Sequence, residues 1–205
     1  MTLSETLDEY VRACFSGIWI QSHEHADAIQ EIAELCRREI WRMASWDIDQ
    51  GLQCGGATTN APDPLAAVRS LPALAGDDDD DDDDGATLLV LQNFHRFLNS
   101  PEIVQAIAHA VIGGKQTCCF VVVLAPLVNL PVELEKLFVV LQHELPGKAQ
   151  LERIAREVAT EADELPSGSD LQRVLDAASG LTRLEAESAF ALSLVRHRSI
   201  EPSVN

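Results

Sequence analysis

Apolar positions along this chain fall into two patterns: short unbroken runs, and longer segments in which they return every three or four residues. The strongest run is Thr117–Pro126, TCCFVVVLAP. It is too short for a membrane span and rich in β-branched residues, so it reads as a strand buried on both faces, the mark of a parallel sheet covered by helices. Thr87–Leu91 (TLLVL) is a second such run. The helical pattern of Pro101–Ile112, with Ile103, Val104, Ile107 and Val111 as its inward stripe, joins the two into a βαβ unit. Ser100-Pro101-Glu102 supplies a cap, an N1 proline and a first-turn acid, and Gly113-Gly114 is expected to end the helix.

The same reading extends to both ends of the chain. Thr2-x-x-Glu5 has the form of a capping box, followed by Leu3, Leu7, Tyr10, Val11 and Cys14 at helical spacing. After Gly17, Ile18–Gln21 is a short strand, and Ser22 caps a helix over Glu24–Ile40 whose stripe is Ile29, Ile32, Ala33, Cys36 and Ile40. Trp41–Asp47 is a second strand, closed by Gly51-Leu52, and its two tryptophans read as packing residues. Residues 53–86 form a flexible loop holding one short helix around Leu65–Leu71 and the run Asp77–Asp84. Past Pro126 come Leu127–Pro131 with Asn129, a helical turn at Val132–Lys136, and a strand at Leu137–Leu141. A helix then carries Leu151, Ile154, Ala155 and Val158. A polar break at Glu164–Gly168 precedes two further helices, Ser169–Ala178 and Leu184–His197, the second opened by the capping box Thr182-x-x-Glu185. The expected organisation is an α/β core over residues 1–162 and a helical subdomain over 165–198.

Composition narrows the function classes. With 205 residues and 46% hydrophobic content the chain can bury a full core. The formal net charge is −18, of which the eight aspartates 77–84 supply eight, leaving −10 for the rest. Such a surface repels a phosphate backbone, and no cluster of Lys or Arg with interleaved aromatics offsets it, so nucleic acid is excluded as a direct partner. No stretch reaches about 18 uninterrupted apolar residues, which argues against a membrane. The opening MTLSETLDEY is acidic where a signal peptide would carry Lys or Arg, so the expected compartment is the cytoplasm. Cys14, Cys36, Cys54, Cys118 and Cys119 form no CxxC pair and are expected to be small buried apolar residues in a reducing environment. The Asp run repels itself, because neighbouring carboxylates about 3.5 Å apart along an extended chain sit well inside the screening length. It lacks the alternating ligands, turning Gly and distal Glu of a calcium loop and reads as a solvated low-complexity segment.

The strand–turn–helix at Gln21–Asp27 is where a phosphate-binding protein would place its glycine-rich loop. Here the turn reads Gln21-Ser22-His23-Glu24-His25-Ala26-Asp27. It has no glycine to admit a phosphate, no lysine to reach the outer phosphates, and two carboxylates that would repel them. His23 and His25 flank Glu24, but HxH alone lacks the further ligands of a metal site, and the expectation is solvated polar residues at a helix start. The strand Thr87–Leu91 ends in Gln92-Asn93, two amides where a nucleotide hydrolase needs a carboxylate for magnesium and one to orient water.

The order of these parts resembles an AAA+ ATPase module. Leu145-Pro146 with Arg153-Ile154 is similar to that family's lead into the last core helix, and Asp170-Leu171…Ala178-Ser179-Gly180-Leu181-Thr182…Glu185-Ala186 is similar to its lid signature. Within the family the chain looks like the AAA ATPases of the chloroplast open-reading-frame type, in which a degenerate AAA-like half precedes a working ATPase half. The resemblance covers Gly17 to about His197, as the first half. It implies a three-layer αβα sheet of the P-loop-NTPase type with a small C-terminal helical lid. It also implies a degenerate pocket at Ser22, His23, Gln92, Asn93, Asn129 and Arg183. The family's sensor position falls on Ala125-Pro126, and the arginine-finger region offers only Lys136. No catalytic or metal-binding residue is assigned, and no cofactor. The implied role is a non-hydrolysing module that serves as scaffold or regulator for an active AAA domain or for neighbouring AAA subunits in an oligomer. The alternative is an AAA protein that binds and slowly cleaves ATP with magnesium through an unorthodox site. A clamp-loader-like subunit would need a basic DNA-facing surface, which is missing.

Overall fold

A computed structural model of the chain describes residues 2–55, 57–59, 62–75, 85–161 and 163–202. The Asp77–Asp84 run lies outside the described residues. The elements, in chain order, are α1 (Leu3–Arg12), β1 (Gly17–Gln21), α2 (His25–Glu39), β2 (Arg42–Asp47), β3 (Gly51–Cys54), β4 (Ala57–Thr59), α3 (Pro64–Arg69), α4 (Leu71–Leu74), β5 (Thr87–Gln92), α5 (Pro101–Thr117), β6 (Cys119–Ala125), β7 (Val139–Gln142), α6 (Lys148–Val158), α7 (Gly168–Ala177) and α8 (Arg183–His197). They divide into two compact units, residues 1–143 and 144–205.

The first unit is built on a sheet of order β4-β3-β2-β5-β6-β1-β7. Strands β2, β5, β6, β1 and β7 run parallel, and β3 and β4 extend the β2 edge as antiparallel neighbours. All seven residues of β6 are buried. Their side chains alternate between two cores, as the period of a strand requires. On one face Ile18, Ile20, Leu88, Val90, Phe120, Val122 and Leu124 pack with Leu3 and Leu7 of α1 and with Ala28, Ile32 and Leu35 of α2. On the other, Trp19, Trp46, Leu89, Leu91, Val121 and Val123 pack with Val68 of α3, Leu71 of α4, and Ile103 and Ile107 of α5. The expected three-layer αβα sheet is therefore the one observed.

Several boundaries differ from the periodicity, each for a visible reason. Gly113-Gly114 does not end α5, which continues to Thr117 and closes on Cys118 in the left-handed region at φ 49. A Cβ on Gly114 would lie 2.0 Å from the carbonyl oxygen of Cys119, so this glycine serves a close approach of helix and strand. Helix α2 ends at Glu39, one residue before Ile40, which turns left-handed (φ 59), leaves the helical stripe and stands 82% exposed. Gly51–Cys54 and Ala57–Thr59, expected to close a strand and open a loop, form the β3–β4 pair, with Leu52 opposite Thr59. Cys14 and Cys118 are exposed, both at positive φ, while Cys36 and Cys119 are buried as expected.

The second unit is helical. Leu151, Ile154 and Ala155 of α6 close a core with Leu171, Val174 and Leu175 of α7 and with Ala186 and Phe190 of α8. The division thus falls earlier than the expected 162/165 boundary, because the inward stripe of α6 is completed by α7 and α8. The Thr182–Glu185 capping box forms as predicted, as does that of Thr2 and Glu5 in the first unit. No helix among the described residues is long and apolar enough to cross a membrane.

Ile20 is fully buried in the sheet centre, whereas Val140 on the edge strand β7 is 43% exposed. Ile20→Ala is expected to lower the unfolding free energy by about 2–5 kcal/mol. Val140→Ala should change it by no more than about 0.5 kcal/mol. Urea denaturation followed by tryptophan fluorescence measures both, since Trp19, Trp41 and Trp46 all lie in the first unit.

Candidate functional site

In a parallel sheet covered by helices, polar chemistry collects beyond the carboxyl ends of the strands, because the strand interiors are fully apolar. Here the row is set by register: Gln92 of β5 lies beside Leu124 of β6, and Ala125 of β6 lies beside Gln21 of β1, which in turn faces Gln142 of β7. Three amide and carbonyl groups close this edge. Gln142 Nε2 donates to Gln21 Oε1 (2.9 Å), and Gln21 Nε2 donates to the carbonyl of Pro126 (3.2 Å).

Only three residues, Ser22, His23 and Glu24, connect β1 to α2. The phosphate-cradling pattern G-x-x-x-x-G-K-[ST] needs a longer loop whose N–H groups converge on an anion. Ser22 instead continues the ladder, its N–H donating to the carbonyl of Ala125 (2.9 Å). Its hydroxyl accepts the N–H of Glu24 (2.9 Å) and shares a 2.7 Å hydrogen bond with Nδ1 of His143. The hydroxyl therefore ties the turn to the end of β7, whose ladder His143 prolongs by donating its N–H to the carbonyl of Gln21 (2.9 Å).

The turn is not the solvated helix start expected from its composition. Ser22 is 1% exposed and Glu24 9% exposed, His25 is half-buried, and His23 alone of the four faces water. A nearly buried carboxylate thus stands in the turn where a phosphate-binding protein presents open N–H donors. Beyond β5, Asn93 takes the left-handed conformation (φ 53), which an Asn tolerates better than most residues, and starts a 3-10 turn over Phe94–Arg96. That turn inserts Phe94 against Trp46 and buries His95. His95 and His143 were not singled out by the sequence. The one available signal was position, since each follows an apolar strand within a few residues.

Of the expected pocket positions, Ser22, His23, Gln92 and Asn93 do lie at neighbouring strand ends. Asn129 is exposed in the segment after β6. Arg183 belongs to the second unit, where Nη2 meets Glu157 at 2.6 Å and Nε meets Glu187 at 2.8 Å. Lys136 is exposed. A groove of about 860 Å3 between α3, α4 and α5, lined by Val68, Pro72, Ala106 and Ala110, shares no residue with the strand-end row.

Burial holds the imidazole of His25 below its ordinary pKa, and the charges of nearby His95 and His23 push it the same way. Burial also lowers that of His95, with Arg96 adding to the effect. Neither His25 Nε2 nor His95 Nδ1 has a hydrogen-bond partner, which fits neutral rings. As pH falls below the ordinary 6.5, the unfolded chain takes up these protons first. Their stabilising contribution is complete above that value and is lost as pH falls through the lowered folded-state values. The carboxylates of Glu39, Glu164 and Glu185 are held below the ordinary 4.5, which leaves this window clear of them. The urea midpoint of the first unit should therefore drop between about pH 7.5 and about pH 5.5, and a His25→Asn/His95→Asn double variant should show a smaller drop.

Comparison with known proteins agrees with this architecture. Residues 3–143 match the family model for the SpoVK-like AAA ATPase N-terminal domain, and residues 149–204 match that for the second domain of the same proteins. No curated protein matches the chain in sequence. Among solved structures, C. elegans PCH-2 aligns with TM-score 0.58 at 9% identity, covering 98% of this chain and 63% of its own. A DNA replication initiation factor aligns with TM-score 0.55 at 15% identity, covering 94% and 60%. At these identities the likeness concerns the fold, and the chain spans less than two thirds of the length of either structure. Two adjoining family matches, covering both compact units in the expected order, identify the chain as a member of the AAA+ ATPase family, corresponding to the N-terminal and second domains of its SpoVK-like branch.

Proposed function

We propose that this chain is a non-hydrolysing AAA-like module that docks against an active ATPase half or neighbouring AAA subunits and acts there as an assembly scaffold or regulator. The observation that supports this most is the turn Ser22–Glu24. It is three residues long, internally hydrogen-bonded through Ser22, and carries a nearly buried carboxylate where a triphosphate would need N–H donors and a cation. The amides Gln92 and Asn93 carry no charge for magnesium, and Ala125-Pro126 offers no polar side chain at the end of β6.

A chain that keeps a full two-faced core while its strand ends lack catalytic groups is suited to holding a partner in register. The match to the N-terminal domain of an ATPase family supports an active domain as that partner. The proposal also takes the chain to be cytoplasmic, with which its five unpaired cysteines are compatible.

The purified chain with magnesium should show neither ATP turnover above background nor, in calorimetry, saturable ATP binding tighter than about 1 mM. It should co-purify with an AAA ATPase when expressed untagged in its native cell. A magnesium-dependent turnover that is lost on replacing Gln92 or Asn93 would overturn this reading in favour of an unorthodox nucleotide site.

A further inference from the structure

Asp27 and Glu31 stand one helical turn apart on α2, so their carboxylates share a face of the helix. Opposite them is His143, at the end of β7, whose side chain is only 5% exposed. Its Nε2 lies 3.8 Å from Asp27 Oδ2 and 3.8 Å from Glu31 Oε1, and the three ligand atoms all fall within 4.8 Å of one another. That spacing is too long for charge-assisted hydrogen bonds, which close to about 2.7–2.9 Å. It is close to what a bridging ion leaves, since two bonds of about 2.1 Å at a tetrahedral angle set their ligand atoms about 3.4 Å apart.

Two further features point the same way, the second of them independent of the acidic pair. Glu31 Oε2 is buried without a hydrogen-bond partner. The nearly buried His143 ring aims Nε2, which makes no hydrogen bond, between the carboxylates, while Nδ1 is held at 2.7 Å by the Ser22 hydroxyl. In the tautomer that donates Nδ1–H to that hydroxyl, the Nε2 lone pair faces Asp27 and Glu31. A metal-ligating histidine is characteristically fixed through its other ring nitrogen in this way.

We propose that Asp27, Glu31 and His143 bind one divalent transition-metal ion of the zinc class, with water completing the shell. One imidazole nitrogen and two carboxylate oxygens suit zinc better than magnesium, which prefers oxygen ligands alone. The ion would offset the repulsion of the two carboxylates and join α2 to the end of β7, beside the closed turn. The site lies at the β7 end of the strand-end row, and it stands whether or not the scaffold reading holds.

Zn2+ titration of the full chain against a chromophoric chelator tests this. The wild-type chain is expected to withdraw one Zn2+ from the chelator, and its thermal midpoint should rise on loading and fall on adding EDTA. Asp27→Asn and Glu31→Gln, both at partly exposed positions that spare the core, should each weaken that binding at least about 100-fold while leaving the metal-free chain folded by circular dichroism. Ser22→Ala, which removes the hydroxyl held by Nδ1 and by the Glu24 N–H but no ligand atom, should weaken it about 10–100-fold. Binding of equal strength in wild type and both carboxylate variants would assign the ion to the Asp run or the thiols and overturn the site. No stoichiometric binding by the wild-type chain would overturn it too.

Discussion

The fold depends on one constraint: β6 is buried on both faces and hydrogen-bonded on both edges. Each of its seven residues is enclosed, β1 and β5 flank it in parallel register, and its side chains divide between the two helical layers. Three central strands of this kind, β5, β6 and β1, leave little interior room for a polar group, so chemistry is expected past their carboxyl ends. The same constraint explains Gly114, whose missing side chain lets α5 pass within contact of the start of β6.

At those ends several of the chain's own groups bond to one another. Ser22 bonds to Ala125, Glu24 and His143, Gln21 bonds to Pro126 and Gln142, and a nearly buried carboxylate occupies the β1–α2 turn. A nucleotide site requires the opposite condition, donors left open toward solvent until an anion fills them. The buried histidines extend this logic. Burial lowers the pKa of His25 and of His95, which disfavours the charged rings that could have faced a phosphate in place of a lysine.

Much of this was legible in the residues. The β-branched run 117–126, the TLLVL strand and both capping boxes stand where the patterns put them, because each rests on a local rule that tertiary context had no reason to override. Burial of the Ser22–Glu24 turn was not legible. Polar residues at a helix start normally face water, and here Ser22 is met by His143, which arrives from a strand distant in sequence. The β3–β4 pair was hidden for a related reason, since short strands rich in Gly, Gln and Thr carry no clear alternation. The stripe of helix α6 shows that it is amphipathic, not which neighbours complete its core, and its packing with α7 and α8 was therefore not legible.

If the turn between β1 and α2 is closed to a triphosphate by its own bonding, the backbone amide resonances of Ser22–Ala28 and Asn93 should stay in place throughout an NMR titration with ATP and magnesium, apart from uniform salt effects. Saturable shifts concentrated on that turn and on Asn93 would show the turn to be open to nucleotide.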